Sequence, residues 1–428
     1  MKNILRILLF VVLSKSCFAL NIEDTIKSTI KNNPKVKIAI EKLNESKELL
    51  IYSKGYKLPT VTSSITGTYL NSDTKTSVTN TTPETFTDSY KLTITQNLYD
   101  AGFNDLEIER SKILFNNEII GFNNTIQSLI LDAIEGYLSV INFEKSLEST
   151  QKNYDSVLKG FEETKTRFDL GSATLYDIQN SEASFAIAKT NLYAAQQNVN
   201  IGKKTFKRIV GLKPINLEDV LNIGDMDNLE TINKNAEKNN LNLLLISNDI
   251  AIKEILILKE KKSKQLNIDL TGTGLYSNSD RIDNGSENTS GSVAITLTIP
   301  LYKKGQDNSN IRKYQSQKIQ SEINLQDSKD DLSILIANTY KDFKINESKM
   351  QSNLIIIKSI KTSLSSLQEE YEIGTKSIND LIEEEEKLLE ANVNYLDSKK
   401  HFLLSYFKIK SLDGSLINLF KNYIPEIN

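Results

Sequence analysis

The sequence of 428 residues has no tryptophan, six prolines, one cysteine and one histidine. The cysteine, Cys17, lies in an N-terminal segment that we predict to be removed, which excludes disulfides, thiolate nucleophiles and cysteine metal sites from the mature chain. The histidine, His401, lies in an apolar-rich helical stretch, where a packed or surface role is the common one. The usual nucleophile–base pair cannot be built, so we predict no catalytic, cofactor or metal site.

The chain also has little excess of either charge, since the formal net charge is −3. The chain therefore has no basic footprint for nucleic acid. Few prolines and much Lys, Asn, Ile, Ser and Glu suit long helices with polar faces. No segment after the N-terminus has the run of about 18 apolar residues that is typical of a membrane helix. If the protein crosses a membrane, it must do so with strands.

Residues 1–19, MKNILRILLFVVLSKSCFA, have the pattern of a secretory signal peptide, with basic residues before an apolar run and small residues ending at Ala19. We predict cleavage after Ala19. One alternative is an uncleaved anchor, but the apolar run is far shorter than the about 20 residues that a spanning helix needs. The other alternative is lipidation at Cys17, which Lys15, two positions upstream, disfavours.

One phrase occurs twice in the chain, as TRFDLGSATLYDI at 166–178 and as EYEIGTKSINDL at 370–381. Superposing Gly171 on Gly374 aligns an aromatic residue, an aliphatic residue and an aspartate in both copies. Similar pairs of phrases occur elsewhere in the chain. The sequence is therefore predicted to contain two structural repeats, in which the two glycines do the same job.

Each repeated phrase lies between two long helical stretches. Residues 306–373 contain neither glycine nor proline, and apolar residues recur every seventh position from Ile336 to Tyr371, which is the supercoiling period. A glycine between two such helices is typical of a helical-hairpin turn, because it adopts the left-handed conformation at a helix end. We predict helical hairpins at about 103–210 and 306–410, with their tips at the two glycines.

Segments of alternating polarity precede each helical hairpin. They predict strand hairpins at about 60–98 and 266–301, and their lengths suit tilted transmembrane strands. An ordinary half-buried soluble hairpin is the alternative. The resulting domain plan is repeat 1 at 20–212, a connector with glycine and proline at 213–228, and repeat 2 at 229–428.

With these features, the sequence resembles the TolC family of outer-membrane efflux proteins. The resemblance rests on the duplicated halves, the two glycine tips, the phrases NLYDAG (97–102) and IPLYKKG (299–305), and the closing SLDGSL (411–416). It implies a membrane protein of the α+β class, in which a homotrimer forms one twelve-stranded β-barrel continuous with a long α-helical coiled-coil barrel. The trimer agrees with physical chemistry, because four strands per chain cannot close a barrel and open sheet edges are not tolerated in lipid.

The resemblance also implies a function and a location. The chain is expected to be the outer-membrane exit duct of a tripartite efflux or type I secretion system, with its helical part in the periplasm. Its partners would be two further copies, outer-membrane lipid, a periplasmic adaptor and an inner-membrane pump. The alternative is a secreted periplasmic coiled-coil scaffold or adaptor without a channel, and an enzyme is a distant third.

Residue roles near the tips follow from the resemblance alone. It implies a periplasmic gate formed by Asp177, Tyr371 and Lys376, and contacts with the adaptor at Leu170, Gly171, Ile373 and Gly374. The family usually has arginine at the basic gate position, so Lys376 is expected to make a point-charge contact instead of a bidentate one.

The resemblance further places Asp380 and Glu383 at the pore constriction. Their spacing puts both carboxylates on one helix face, and three copies would form two acidic rings that favour cations. Crowding of these carboxylates is expected to raise their pKa values. The neighbouring Glu384, Glu385 and Glu386 are expected to be ordinary surface charges.

Overall fold

The computed structural model describes residues 20–71, 74–75, 80–81, 84–219, 223–281 and 285–425. The predicted signal peptide, with Cys17, lies outside the described residues. The helices are α1 (Ile22–Asn32), α2 (Pro34–Lys54), α3 (Phe103–Asp169), α4 (Leu175–Val210), α5 (Leu229–Asn239), α6 (Leu241–Lys262), α7 (Gln306–Glu372), α8 (Ile378–Leu412) and α9 (Leu416–Leu419). The strands are β1 (Thr60–Asn71), β2 (Thr74–Lys75), β3 (Asn80–Thr81), β4 (Glu84–Tyr99), β5 (Asn267–Arg281) and β6 (Ser286–Thr298).

The predicted helical hairpins are formed by α3 with α4 and by α7 with α8. The first helix of each hairpin has 67 residues. The predicted heptad positions face inward, since Ile336 is 0%, Phe343 4% and Ile357 8% exposed. Burial of one apolar stripe thus explains why an otherwise polar α7 is stable as a long helix.

The helices α1, α2, α5 and α6 precede the strand hairpins and are missing from the sequence-based prediction. Two of them begin with a recognisable signal: the side chain of Asn21 accepts a hydrogen bond from the backbone of α1, and Asn228 does the same for α5. Asparagine is among the preferred N-cap residues, so both starts were detectable.

The main sheet is antiparallel and has the strand order β1-β4-β5-β6. The pairing of β4 with β5 joins the two halves of the sequence, with Tyr90 opposite Tyr276. Among the described residues, β1 pairs only with β4 and β6 only with β5, so each leaves one border without a partner strand. The predicted strand hairpins are confirmed, and the sheet stays open within one chain.

The chain divides into two compact units, each drawing on both halves of the sequence. One consists of Met1–Ile38, Asn123–Leu241 and Lys329–Asn428, and the other of Ala39–Phe122 and Asn242–Ser328. The predicted repeats are therefore not separate compact bodies. Among the described residues, no helix combines the length and apolar character needed to span a membrane.

Matching contacts near the ends of α4 and α8 repeat within the first compact unit. The side-chain amide of Asn33 donates to the carbonyl of Ile209 over 3.0 Å, and that of Asn240 donates to the carbonyl of Leu412 over 3.1 Å. Each asparagine thus satisfies a carbonyl at the end of a returning helix. The same device serves both predicted repeats.

Candidate gate at the helical tips

Both glycine tips are helix-ending turns. Gly171 has a φ of 74° and Gly374 a φ of 81°, in the left-handed region that favours glycine. The next residue closes each turn, because the N–H of Ser172 donates to the carbonyl of Arg167 and the N–H of Thr375 donates to that of Glu370. The predicted hairpin turns are confirmed.

The helix after each tip begins with the same reciprocal cap. The backbone N–H of Asp177 donates to the hydroxyl oxygen of Thr174, whose own N–H donates to the Asp177 carboxylate over 2.9 Å. Ser377 and Asp380 form the matching pair at the start of α8. Each aspartate therefore fixes the first turn of a returning helix.

These caps keep the two carboxylates ionised. Hydrogen bonds from the backbone and side chain of Thr174 lower the pKa of Asp177, and those from Ser377 lower the pKa of Asp380. Within one chain the pKa of Asp380 is thus lowered, and the expected rise from crowding between copies stays a prediction. The capping contacts already present favour the charged form, and crowding with other copies is not part of this environment.

The other predicted tip residues lie at the surface. Glu383 is exposed and forms an ion pair with Lys387 over 3.0 Å. Lys376 is exposed, whereas Tyr371 is half-buried. Within the described part of one chain, no hydrogen bond or ion pair joins Asp177, Tyr371 and Lys376, so their predicted contact between neighbouring hairpins stays a prediction.

Tyr371 instead belongs to a network that the sequence analysis missed. Its hydroxyl donates a hydrogen bond to the carboxylate of Glu163 on α3. Arg167 donates to the same carboxylate over 3.0 Å and to the Tyr371 hydroxyl over 2.9 Å, and its guanidinium lies 5.3 Å from the ring centroid. Partial burial and the hydrogen bond to Glu163 raise the pKa of Tyr371 to about 12. The i,i+4 spacing of Glu163 and Arg167 was the available sequence signal.

Comparison with known proteins finds similarity to outer membrane efflux proteins. The sequence profile described as "Outer membrane efflux protein" matches residues 25–212. "Outer membrane protein TolC" of Escherichia coli (strain K12) is 23% identical over 309 residues, which cover 68% of this chain and 62% of that protein. "Alkaline protease secretion protein AprF" of Pseudomonas aeruginosa is 21% identical over 423 residues, which cover 95% of this chain and 86% of that protein.

Residues 25–212 thus resemble the outer membrane efflux protein family. The match to Escherichia coli TolC spans less than two thirds of that protein, at 62% of its length. Solved structures agree on the fold. The Campylobacter jejuni CmeC outer membrane channel superposes with a TM-score of 0.82 at 16% identity, covering 94% of this chain and 90% of that one. The Neisseria gonorrhoeae MtrE outer membrane channel superposes with a TM-score of 0.74 at 15% identity, covering 92% of this chain and 89% of that one.

Similarity to outer membrane efflux proteins confirms the predicted location, with the chain in the outer membrane and its helical part in the periplasm. The tip residues therefore lie in an aqueous compartment. Leu170 is 78% and Ile373 75% exposed there. Both side chains are thus accessible to a partner, and their predicted contact with the adaptor stays a prediction.

The acidic run that follows the α8 cap is less uniform than the sequence analysis expected. Glu386 is exposed, as predicted. Glu384 forms an ion pair with Lys387 over 3.4 Å and its side chain is only 14% exposed. Glu385 is half-buried, and burial raises its pKa although the hydroxyl of Ser156 donates a hydrogen bond to it. The prediction of ordinary surface charge is therefore wrong for Glu384 and Glu385, because both lie on the side of α8 that packs within the unit.

Proposed function

We propose that three copies of this outer membrane efflux protein form the exit duct of a tripartite efflux or type I secretion system. The duct conducts substrates passively from an inner-membrane pump to the outside of the cell. The observation that carries this proposal is the open sheet: β1 and β6 each have one border without a partner strand in the described chain.

An open border is unfavourable in lipid, because each unpaired backbone N–H and C=O loses its water partners there. Pairing β1 of one copy with β6 of the next satisfies both borders at once. The sequence of β6 agrees with a strand that has one face toward lipid. Its apolar residues Val293, Ile295 and Leu297 alternate with Ala294, Thr296 and Thr298. Val293 is 79%, and Ile295 and Leu297 are each 62% exposed in a single chain. Such alternation is typical of transmembrane barrels.

The gate and the constriction belong to the same proposal. Asp177, Tyr371 and Lys376 tie neighbouring hairpins together at the entrance, and Asp380 and Glu383 form the acidic rings beyond it. Two features support these roles: the capping boxes fix the first turns of α4 and α8, and the contact with Glu163 fixes Tyr371. Glu163 and Arg167 are therefore positioning residues of the gate.

Two partners complete the proposed assembly. The periplasmic adaptor contacts the tips at Leu170, Gly171, Ile373 and Gly374, where apolar side chains are exposed beside rigid turns. The pump supplies the energy and selects the cargo.

Disulfide crosslinking of the purified mature protein in detergent tests the trimer. Cysteines placed one on β1 and one on β6 should crosslink copies into covalent trimers. The control pair Thr62→Cys with Thr93→Cys lies opposite within one sheet and should link only within a chain. In planar bilayers the unmodified protein should form cation-selective channels. A monomer that stays soluble without detergent would support the scaffold alternative and end the proposal.

A further inference from the structure

A groove between α3, α7 and α8 lies beside the Tyr371 network. It consists of two cavities, of about 270 Å³ and about 250 Å³, which share the lining residues Ser156, Leu364 and Glu385. Cavities of this size are at the lower limit for small-molecule pockets. The two cavities therefore adjoin, and their lining combines aliphatic side chains such as Leu364, Ile382 and Leu388 with a larger number of polar and charged groups.

One buried polar side chain that lines this groove has an unsatisfied donor. Asn153 on α3 is only 6% exposed, and its side-chain Nδ2 has no hydrogen-bond partner. A buried amide N–H without an acceptor is destabilising by about 1–3 kcal/mol. The groove therefore presents a donor that an acceptor atom on a bound molecule can satisfy.

A carboxyl group lies where the two cavities meet. Glu385 is half-buried there, and among the described residues it accepts a hydrogen bond from Ser156 but forms no ion pair with Lys or Arg. Burial of a carboxylate without a cation is unfavourable, which agrees with the raised pKa of Glu385. A cation entering the groove would favour its ionised form.

Some of the other charged side chains around the groove already form ion pairs. On α3, Lys152 pairs with Glu148 and Glu163 pairs with Arg167, while Lys159 stands at the rim. The remaining charges that line the groove are Lys361 and Glu372 on α7 and Glu385 itself on α8. The cavity that contains Glu372 and Tyr371 is the acidic end, and the cavity that contains Asn153 is the donor-rich end.

We propose that this groove is a binding site for a small organic ammonium ion that also carries a hydrogen-bond acceptor. The ammonium group binds Glu385, the acceptor takes the hydrogen bond from Asn153, and the hydrocarbon body packs on Leu364 and Leu388. Each part of the ligand matches one unsatisfied feature of the groove. The bound ion lies next to Tyr371 and Glu163, which also line the first cavity.

Isothermal titration calorimetry on the purified full-length mature protein in detergent tests the site. The probe is trans-4-aminocyclohexanol, which is small, water-soluble and protonated at neutral pH. We expect saturable binding of one probe per chain. Cyclohexylamine lacks the acceptor and should bind about three- to tenfold more weakly, and cyclohexanecarboxylate should not bind.

Three variants locate the binding. Glu385→Gln keeps the size of the side chain and its ability to form hydrogen bonds but removes its charge. It should weaken binding of the probe by about tenfold or more. Glu386→Gln, the exposed neighbour, is the matched control and should bind like wild type. Asn153→Ala should remove the difference between aminocyclohexanol and cyclohexylamine.

The proposal is overturned if wild type shows no saturable binding, or if the carboxylate probe binds as well as the amines. Equal binding by Glu385→Gln and wild type would also overturn it. Should Glu385→Gln fail to fold, the ranking of the three probes on wild type still decides the matter.

Discussion

The hydroxyl of Tyr371 donates a hydrogen bond to the carboxylate of Glu163, and this contact joins α7 to α3 just before the two tips. Arg167 holds both groups, because it donates to each of them. The aromatic residue of the proposed gate is therefore positioned by its own chain before it contacts a neighbouring copy. A tyrosine held in this way is preorganised for that contact.

Removing the Tyr371 hydroxyl should loosen the entrance. We expect Tyr371→Phe, and more strongly Tyr371→Phe combined with Asp177→Ala, to raise single-channel conductance in planar bilayers, because both tie points of the gate are lost. Tyr176→Phe is the matched control, since Tyr176 lies beside Asp177 near the first tip and is 74% exposed. Unchanged conductance in the double variant would refute the gate.

The alkaline titration of Tyr371 gives a second test. Its pKa is raised from 10.0 to about 12, so its contribution to stability is fully present below pH 10.0 and is lost as the pH rises through about 12. Ultraviolet titration should show a late-ionising tyrosine that is absent from Tyr371→Phe. In Glu163→Gln this tyrosine should ionise at lower pH, because the neighbouring carboxylate is gone, and an unshifted titration would contradict the assignment.

The two capping boxes should stabilise the tips independently. Thr174→Ala removes the side-chain acceptor at the start of α4, and Ser377→Ala does so at the start of α8. Each change should destabilise its helix start by about 1 kcal/mol. Hydrogen exchange should accelerate in the first turn of the altered helix only. Equal acceleration at both tips would show that the caps are coupled.

Acidic rings at the constriction predict a charge-dependent selectivity. Asp380→Asn with Glu383→Gln should reduce cation selectivity, measured as a smaller reversal potential in a salt gradient. The pKa of Asp380 is lowered from 3.8 by its capping bonds, so the wild-type channel should keep part of its selectivity as the pH falls below that value. Glu386→Gln is the exposed control, and a double variant with the wild-type reversal potential would remove both residues from the constriction.

The connector should be held by one partly buried cluster of charged side chains. The carboxylate of Asp219 accepts hydrogen bonds from Lys145 on α3 over 2.5 Å and from Lys399 on α8 over 2.8 Å. Burial alone would raise the pKa of Asp219, but the two lysines lower it. Its contribution to stability is therefore present above the unfolded pKa of an aspartate and is lost as the pH falls through the lower folded value.

Asp219→Asn should accordingly destabilise the protein by up to about 1 kcal/mol at neutral pH, because the two ion pairs that it loses are partly exposed and screened by water. The control is Asp225→Asn, since Asp225 lies exposed in the same connector. In thermal unfolding, Asp219→Asn should have a lower melting temperature than Asp225→Asn at neutral pH. This difference in melting temperature should become smaller at acidic pH. Equal melting temperatures would show that the cluster does not stabilise the connector.

Much of the fold was accessible from sequence because it depends on local signals. Gly171 and Gly374 specify left-handed turns, and the seven-residue spacing from Ile336 to Tyr371 specifies one buried helix stripe. Period-two alternation specified the strands. The helices α1 and α5 are missing from the sequence-based prediction, although Asn21 and Asn228 mark their starts. That prediction used the repeated segments around the strands, and both helices lie outside those segments.

Contacts between distant segments were not accessible. The hydrogen-bond partner of Tyr371 is Glu163, which is 208 residues away in the sequence. No local pattern pairs the two residues. The half-burial of Glu385 is of the same kind, because a run of four glutamates predicts a solvated face until α3 is known to pack against it. The lowered pKa of Asp380 in one chain follows from a cap whose geometry requires coordinates.

The sequence by itself determined the elements of this protein: the glycine tips, the long helices, the alternating strands and the resemblance to outer membrane efflux proteins. These follow from backbone conformation and polarity, which are properties of neighbouring residues. Only the tertiary structure decided which side chains meet across α3, α7 and α8, and so which carboxylates are capped, paired or buried. Burial and charge pairing depend on segments that are distant in sequence and close in space.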